Sequence, residues 1–433
     1  MPATMSNVWG WLAMPMRAWG ARARVIAVLV GLLVGVGFAG LQVAGVESLF
    51  HVPDSSHYLK IAAGETNEVM QPFASRQMGA LVAGALGRVL PGGVRAGFVV
   101  EGVVALVVSL GIVLWLVVRT AAPRWMLLGV VMVPFWVQVT QDLVLPDLWY
   151  AALLAVLLWM LAREWWMAAA VMMLPLMVSR ESTALTVVCL LLAAWRGMRW
   201  RERLVAVGSF VGGGVIVGRL AARALPNPEH LPEPVYVLAK VPWNLLRNVV
   251  GVQPWSNADR DLCQVPAWSM PFHLGPVHSV GVCGWSFGQP IEMVAVVLGN
   301  FGVLPLLAAM LWWQRRRSLP EGVLLRFCLI YGAACVVLAP VLGAGFQHLF
   351  GYAWPLFLVA VPMLWEESAG WRVAAVGAAH FAVVGLMGWG DLWPRLAVQV
   401  GLWVLAGLLL RTSRAKSFNA AGAAKGAVGA VGS

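Results

Sequence analysis

The chain has 433 residues, 61% of them hydrophobic and only 11% charged, with a mean hydropathy of +0.80. No soluble fold of that length hides so much apolar surface, so composition excludes a soluble globular protein and leaves a polytopic membrane protein. The net charge of +11 does not point to nucleic acid, because the basic residues sit in short loops between apolar runs, where they orient a chain in the bilayer. The 24 Trp residues suit the lipid–water boundary.

Residues 1–24 carry Arg17, Arg22 and Arg24 and read as a cytoplasmic segment. The apolar run 25–46 that follows is too long for the core of a signal peptide and reads as an anchor. A crossing length of ~20 residues gives about twelve candidate spans. They fall near 25–46, 97–118, 125–141, 143–161, 165–180, 183–195, 204–222, 291–313, 323–342, 349–365, 371–389 and 395–411. The fold class expected is therefore all-α, a polytopic transmembrane bundle. Arg119, Arg124, Arg163, the group Arg196 to Arg203, Arg315 to Arg317 and Arg372 lie in short connections that alternate with the spans, which places the N-terminus inside. Residues 25–222 then form a core with a first external loop at 47–96. Residues 223–290 are a second, Pro- and Trp-rich external loop, and 291–411 hold the remaining spans. The tail 412–433 is rich in Ala, Gly and Ser without apolar periodicity and reads as disordered and cytoplasmic.

In the first external loop, Met78, Leu81, Val82, Ala85, Leu86, Val89 and Leu90 recur at helical spacing, with Gln77, Gly84 and Arg88 on or near the other side. That predicts an amphipathic helix of roughly 14 residues lying in the interface. A short tilted span is the alternative, and it would put the Arg196–Arg203 cluster outside against the positive-inside rule. In the second loop, Cys263 and Cys283 are either a disulfide worth ~3 kcal/mol in an oxidising compartment or two free thiols. Cys189, Cys328 and Cys335 fall within spans as packing residues. His273 and His278 lack ligand spacing and acidic neighbours, so no metal site and no cofactor is expected.

The ionisable residues at the outer ends carry the chemistry. Asp54, in Asp54-Ser-Ser-His57-Tyr58-Leu-Lys60, is either the N-cap of a short helix or a general base whose basicity is raised by poor solvation. Asp147, in Pro146-Asp147, and Arg180-Glu181 mark the turns of neighbouring hairpins. Charges at such depth are paired or functional. Neighbours in sequence face different ways on a helix, so Arg180 and Glu181 should have different partners. Arg180 either pairs with Asp147 and fixes the bundle, or grips a phosphate with its planar fork. Gln347 and His348 stand where they could line the same cavity.

Asp54-x-x-x-Tyr58-Leu-x-x-Ala62, then Pro72-Phe73-x-x-Arg76 leading into the amphipathic helix, then Pro146-Asp147 and Ser179-Arg180-Glu181-Ser182, together resemble the GT-C class of polytopic glycosyltransferases. The likeness covers roughly residues 20–200. It implies transfer of a sugar from a polyprenyl-phosphate donor on the outer face of a bacterial cell membrane, with inversion at the anomeric carbon. Asp54 would be the base, and Arg180, Arg76 and Lys60 would stabilise the departing lipid phosphate. His57, Tyr58, Asp147, Glu181 and His348 would complete the substrate site. The partners implied are the lipid-linked donor and membrane lipids. Where many members carry a second acidic residue beside the first, Asp54 is followed by Ser55 and Ser56. A multi-pass transporter or lipid flippase is the competing reading, since buried charges also suit it, and a non-catalytic membrane scaffold is a third.

Overall fold

A computed structural model describes residues 11–43, 54–70, 73–141, 143–225, 241–256, 272–273, 279–315, 322–342, 346–365, 371–388 and 390–429. The chain is a multi-pass bundle. Six helices are long and apolar enough to cross a membrane, or seven if one bent pair counts as a span. They are α1 (Ala21–Val43), α4 (Gly93–Val117), α11 (Trp200–Ala221), α14 (Val323–Leu342), the segment 346–364 and the first part of α18 (Leu392–Gly429). Within 346–364, α15 (Phe346–Gly351) leads through a π-helical stretch, Pro355–Ala360, to α16 (Val361–Leu364).

Five of the twelve expected spans are shorter apolar helices. The run 125–141 divides into α5 (Trp125–Val131) and α6 (Pro134–Gln141), and 165–180 divides into α8 (Trp166–Val171) and α9 (Met173–Ser179). Between and after them lie α7 (Pro146–Ala162), α10 (Thr183–Ala194) and α17 (Trp371–Gly385). Pro134 supplies the first break, because proline cannot continue the hydrogen-bond ladder of the preceding turn. The run 291–313 divides into α12 (Gly288–Gly299) and α13 (Leu304–Arg315), bent by 75°. A twelve-span bundle is thus replaced by fewer full crossings filled in by short helices.

The short helices are the most buried. Tyr150, Leu154, Leu157 and Leu158 of α7 are fully enclosed, and Phe135, Phe301, Phe350 and Phe357 form an aromatic cluster with centroid separations from 4.7 to 5.7 Å. The long helices α1 and α11 instead expose Val25, Ile26, Leu29, Leu33, Leu204, Val211 and Val215. Those rows suit contact with lipid, where an exposed apolar side chain costs little.

The bundle has two chemically different ends. At one, Met16 N–H donates to the Ala122 carbonyl (2.9 Å) and Arg124 N–H to Met14 (3.0 Å), while the Arg124 guanidinium lies over Trp11 and Trp19. Arg119 and Arg163 both lie on Trp115. This is the end expected to be cytoplasmic. At the other, Leu225 N–H donates to Val69 (2.9 Å), Gln77 N–H to Val178 (3.2 Å), and the Asn248 amide to Pro340 (2.9 Å). The segment that holds Val69 and Gln77, the α9–α10 turn and the adjoining ends of α11 and α14 therefore meet at one end. The same end carries a small antiparallel sheet, β1 (Val252–Ser256), β3 (Ser279–Trp285) and β2 (Phe272–His273), in the order β1-β3-β2, an addition to the all-α expectation.

The loop helix α3 (Met78–Gly87) differs from its expected orientation. Its buried face is Gly79, Ala80, Ala83 and Gly84, whereas Leu81 is exposed; Gln77, assigned to the polar side, is buried. The reason is close approach. A Cβ on Gly84 would lie 2.3 Å from the Ala62 carbonyl oxygen, and one on Gly97 of α4 would lie 2.0 Å from that of Ala83. Small residues let α3 and α4 pack as a tight hairpin, as helices in membranes do, and the larger apolar side chains turn outward. The last helix, α18, runs on to Gly429. Its alanines, the strongest helix formers, carry the helix past the last apolar turn.

Candidate functional site

The ends of several elements bring ionisable side chains together at the end of the bundle that carries the sheet. Pro146 opens α7 in the first turn, where its missing N–H is harmless, and Asp147 follows at a position where the helix dipole favours a carboxylate. Across from it, α9 ends at Ser179 and the chain turns extended at Arg180 (φ −164°, ψ 139°) before α10 begins at Thr183. Thr183 Oγ1 donates to the Arg180 carbonyl (2.7 Å) and holds that turn. Arg180 Nη1 reaches Asp147 Oδ1 at 2.5 Å, and the Tyr352 hydroxyl donates to the same oxygen. The guanidinium also lies over the Tyr352 ring, 4.8 Å from its centroid, and His348 Nδ1 stands 4.0 Å from Asp147 Oδ2. Side-chain exposures of 6% for Asp147 and 11% for Arg180 make this a buried ion pair. Behind it, Tyr150 packs edge-on against Tyr352 and shares a hydrogen bond with Thr186 (2.8 Å).

Arg76 and Glu181 form a second pair beside the first. Arg76 Nε donates to Glu181 Oε2 at 3.0 Å and Nη2 to Oε1, a bidentate fork. Glu181 is half exposed, with a side-chain exposure of 51%. Burial works to raise its pKa, but the facing Arg76 charge and its hydrogen bonds outweigh that and bring it down to about 2. Burial likewise opposes the Arg76 charge, and Glu181 more than restores it, so the Arg76 pKa is raised. Neighbours Arg180 and Glu181 thus do take different partners, and the Arg180–Asp147 pair is formed.

The first loop is docked on these pairs through α2 (Ser55–Ala63). Tyr58 is 1% exposed, sits edge-on to Phe73, and has its hydroxyl against Arg76. Burial pushes the Tyr58 pKa up to about 12, against the opposing pull of Arg76 and Arg180. His57 stacks on Phe73 at 4.4 Å. Asp54 stands at the head of α2 without a side-chain capping bond, so capping does not occupy its carboxylate. Four residues apart, Asp54 and Tyr58 share a face of the helix.

Lys60 is not part of this group. Its ammonium pairs with Glu68 at 3.0 Å, with both side chains well exposed. Cys263 lies outside the described residues, so the Cys263–Cys283 link does too; Cys283 itself falls in β3. Among the described residues, no group of three or more His, Cys, Asp and Glu is placed to hold a metal.

Neither Tyr352 nor Glu101 is among the candidates drawn from the sequence. Tyr352 carries no local signal, because only the fold brings it to Asp147. Glu101 did carry one: it is the lone acidic residue within the apolar run 97–118, and an ionisable residue inside a span marks a functional site by default. It is 4% exposed. No protein-family model matches the chain, and no curated protein matches it.

Proposed function

We propose that the protein is a membrane glycosyltransferase of the GT-C kind, taking a sugar from a polyprenyl-phosphate donor on the outer face of a bacterial cell membrane, with both termini inside. What supports the reading is one convergence: the loop that carries Asp54 is fastened, through Tyr58 and Arg76, onto the buried Asp147–Arg180–Tyr352 centre. Two guanidiniums, Arg76 and Arg180, stand together at one end of the bundle, and Asp54 lies one helical turn from Tyr58.

In this reaction the Asp54 carboxylate takes the proton of the acceptor hydroxyl. The acceptor oxygen bonds to the anomeric carbon as the bond from that carbon to the phosphate oxygen breaks, and the configuration inverts. The phosphate gains a negative charge as it leaves, so a fixed cation stabilises the transition state more than the ground state. Arg76 is the exchangeable cation. Its partner Glu181 is half exposed, so releasing it to water costs little, and a phosphate can take its place on the fork. Asp147 and Tyr352 hold Arg180 rigid behind it. The test is release of polyprenyl phosphate from a polyprenyl-phosphate sugar by purified protein in lipid; the reading requires release with the wild type and its loss with Arg76→Met.

One observation favours the transporter reading. At the α12–α13 break, the Asn300 carboxamide is fully buried with both polar atoms unpartnered among the described residues, as is Nδ1 of the buried His380. A broken helix with unsatisfied polar groups in mid-bundle is what an ion or solute pathway uses. Uptake of labelled solute or lipid into proteoliposomes without any bond cleavage would support that reading over the transferase.

A further inference from the structure

We propose that Arg24, Arg119 and Arg163, gathered around Trp115 at the end of the bundle away from the sheet, bind the phosphate of an anionic phospholipid headgroup. The three come from three elements: Arg24 from the first turn of α1, Arg119 from the turn after α4, and Arg163 from the end of α7. Two of the guanidiniums lie on one indole, with Arg119 Cζ 3.7 Å and Arg163 Cζ 5.1 Å from the Trp115 ring centroid. Antiparallel packing of α1 on α4 brings the third alongside. Cβ atoms on Gly35 and Gly31 would each lie 2.9 Å from the side chains of Leu110 and Leu114 respectively, so Arg24, about two turns before Gly31, stands near the level of Arg119.

No carboxylate neutralises this group. Among the described residues none of the three has an ion-pair partner, even though Glu164 follows Arg163 in sequence. At the other end, by contrast, Arg76 and Arg180 each face a carboxylate. Few of the donors are used either. Among the described residues, Arg24 gives one hydrogen bond, from Nη2 to the Arg17 carbonyl (3.1 Å), its buried Nε has no partner, and the Arg119 and Arg163 guanidiniums give none. Arg203, at the same end, instead spends donors on the carbonyls of Trp195 and Met198. Burial and the charges of Arg163 and Arg24 hold the Arg119 pKa below its ordinary value. A helix C-terminus favours a cation, which accounts for Arg119 and Arg163 singly but not for their meeting on one ring with a third charge beside them.

The position fits a lipid. Arg119 lies just past the last turn of α4, a helix long enough to cross the bilayer, at the level where chain meets headgroups. Close by, Trp165 is half exposed and packs edge-on against Trp159 at 4.8 Å, and indoles sit at that boundary. Arg119 and Arg163 are both exposed, so a headgroup reaches them from the bilayer surface and needs no internal cavity. The planar fork of a guanidinium gives a phosphate paired hydrogen bonds, and basic residues clustered between spans hold acidic headgroups. A zwitterionic headgroup brings its own ammonium and gains less from three cations.

Native mass spectrometry of the detergent-solubilised full-length protein, titrated with phosphatidylglycerol or with phosphatidylcholine of the same acyl chains, counts bound lipid directly. The wild type should bind phosphatidylglycerol the more tightly. Arg119→Gln and Arg163→Gln should each weaken that binding about fivefold, the worth of one guanidinium at an anionic lipid surface, and leave phosphatidylcholine unchanged. Arg201→Gln removes one charge from the first turn of α11, at the same end but outside the group, and should change neither. Equal affinity of the wild type for the two lipids overturns the proposal. So does an equal loss in all three variants, which is the charge of the whole face, and so does no loss in any. Arg119→Gln and Arg163→Gln variants that lose both lipids alike are damaged in fold, and that too counts against a phosphate site. Displacement of phosphatidylglycerol by glycerol 3-phosphate would give the site to a soluble phosphate and overturn the lipid.

Discussion

Replacing Asp147 by Asn removes one charge from a buried pair and keeps its shape. The consequence follows from the accounting at that point. Arg180 and Arg76 are balanced by Asp147 and Glu181, and the Asp147–Arg180 pair is nearly closed to solvent, at 6% and 11% exposure. With charge centres about 4 Å apart and an effective dielectric of about 20, the lost attraction is about 4 kcal/mol. That agrees with the roughly 3–5 kcal/mol seen when one partner of a buried pair is removed. The asparagine still accepts from Tyr352, so the loss is electrostatic. The double change Asp147→Asn with Arg180→Gln should recover part of it, because no isolated cation remains. Denaturant unfolding in detergent, followed by Trp fluorescence, gives the three values. Asp147→Asn within 1 kcal/mol of wild type, or a double variant worse than the single by a further full step, would refute the account.

The outer pair behaves differently with pH. The folded pKa of Glu181 lies near 2, below its unfolded value, so its contribution is full above pH ~4.5 and is lost as pH falls through about 2. Because Glu181 is half exposed, that contribution is at most ~1 kcal/mol; Glu181→Gln should cost this at pH 6 and nothing near pH 2, and a constant difference across that range would be wrong for an ion pair. Gly97→Ala should destabilise by about 1–3 kcal/mol by prising α3 from α4, whereas Gly208→Ala, with nothing within 4 Å, should be neutral or stabilising in the same unfolding assay. Single cysteines at 54 and 225 should react with an impermeant reagent on intact cells and one at 199 should not, as the distribution of Arg requires; the opposite pattern would invert the bundle.

Much of this was legible in the chain because it depends on local rules. Hydropathy marks the apolar runs, and Arg in short connections marks one end. The Arg180–Asp147 pair was legible as one of two alternatives, because two buried charges of opposite sign seek each other. Span length was less legible. Composition alone does not separate a helix that crosses a membrane from one enclosed by others, and α7 and α10 are as apolar as α4. The buried face of α3 departs from its periodicity for a related reason. Periodicity shows which side chains are large, whereas packing in lipid selects the small ones for contact, as Gly84 against Ala62 shows. Tyr352 lies about two hundred residues from Asp147 in sequence, and nothing short of the fold could join them.

Asp54 is the residue on which transfer depends most directly. Asparagine has the same shape, and Asp54 makes no capping bond to lose, so Asp54→Asn should fold and insert with wild-type thermal stability. Sugar transfer from a polyprenyl-phosphate donor by the purified variant should fall by ~10²–10⁴-fold, the worth of a positioned general base. A stable Asp54→Asn protein that transfers sugar at the wild-type rate would contradict it.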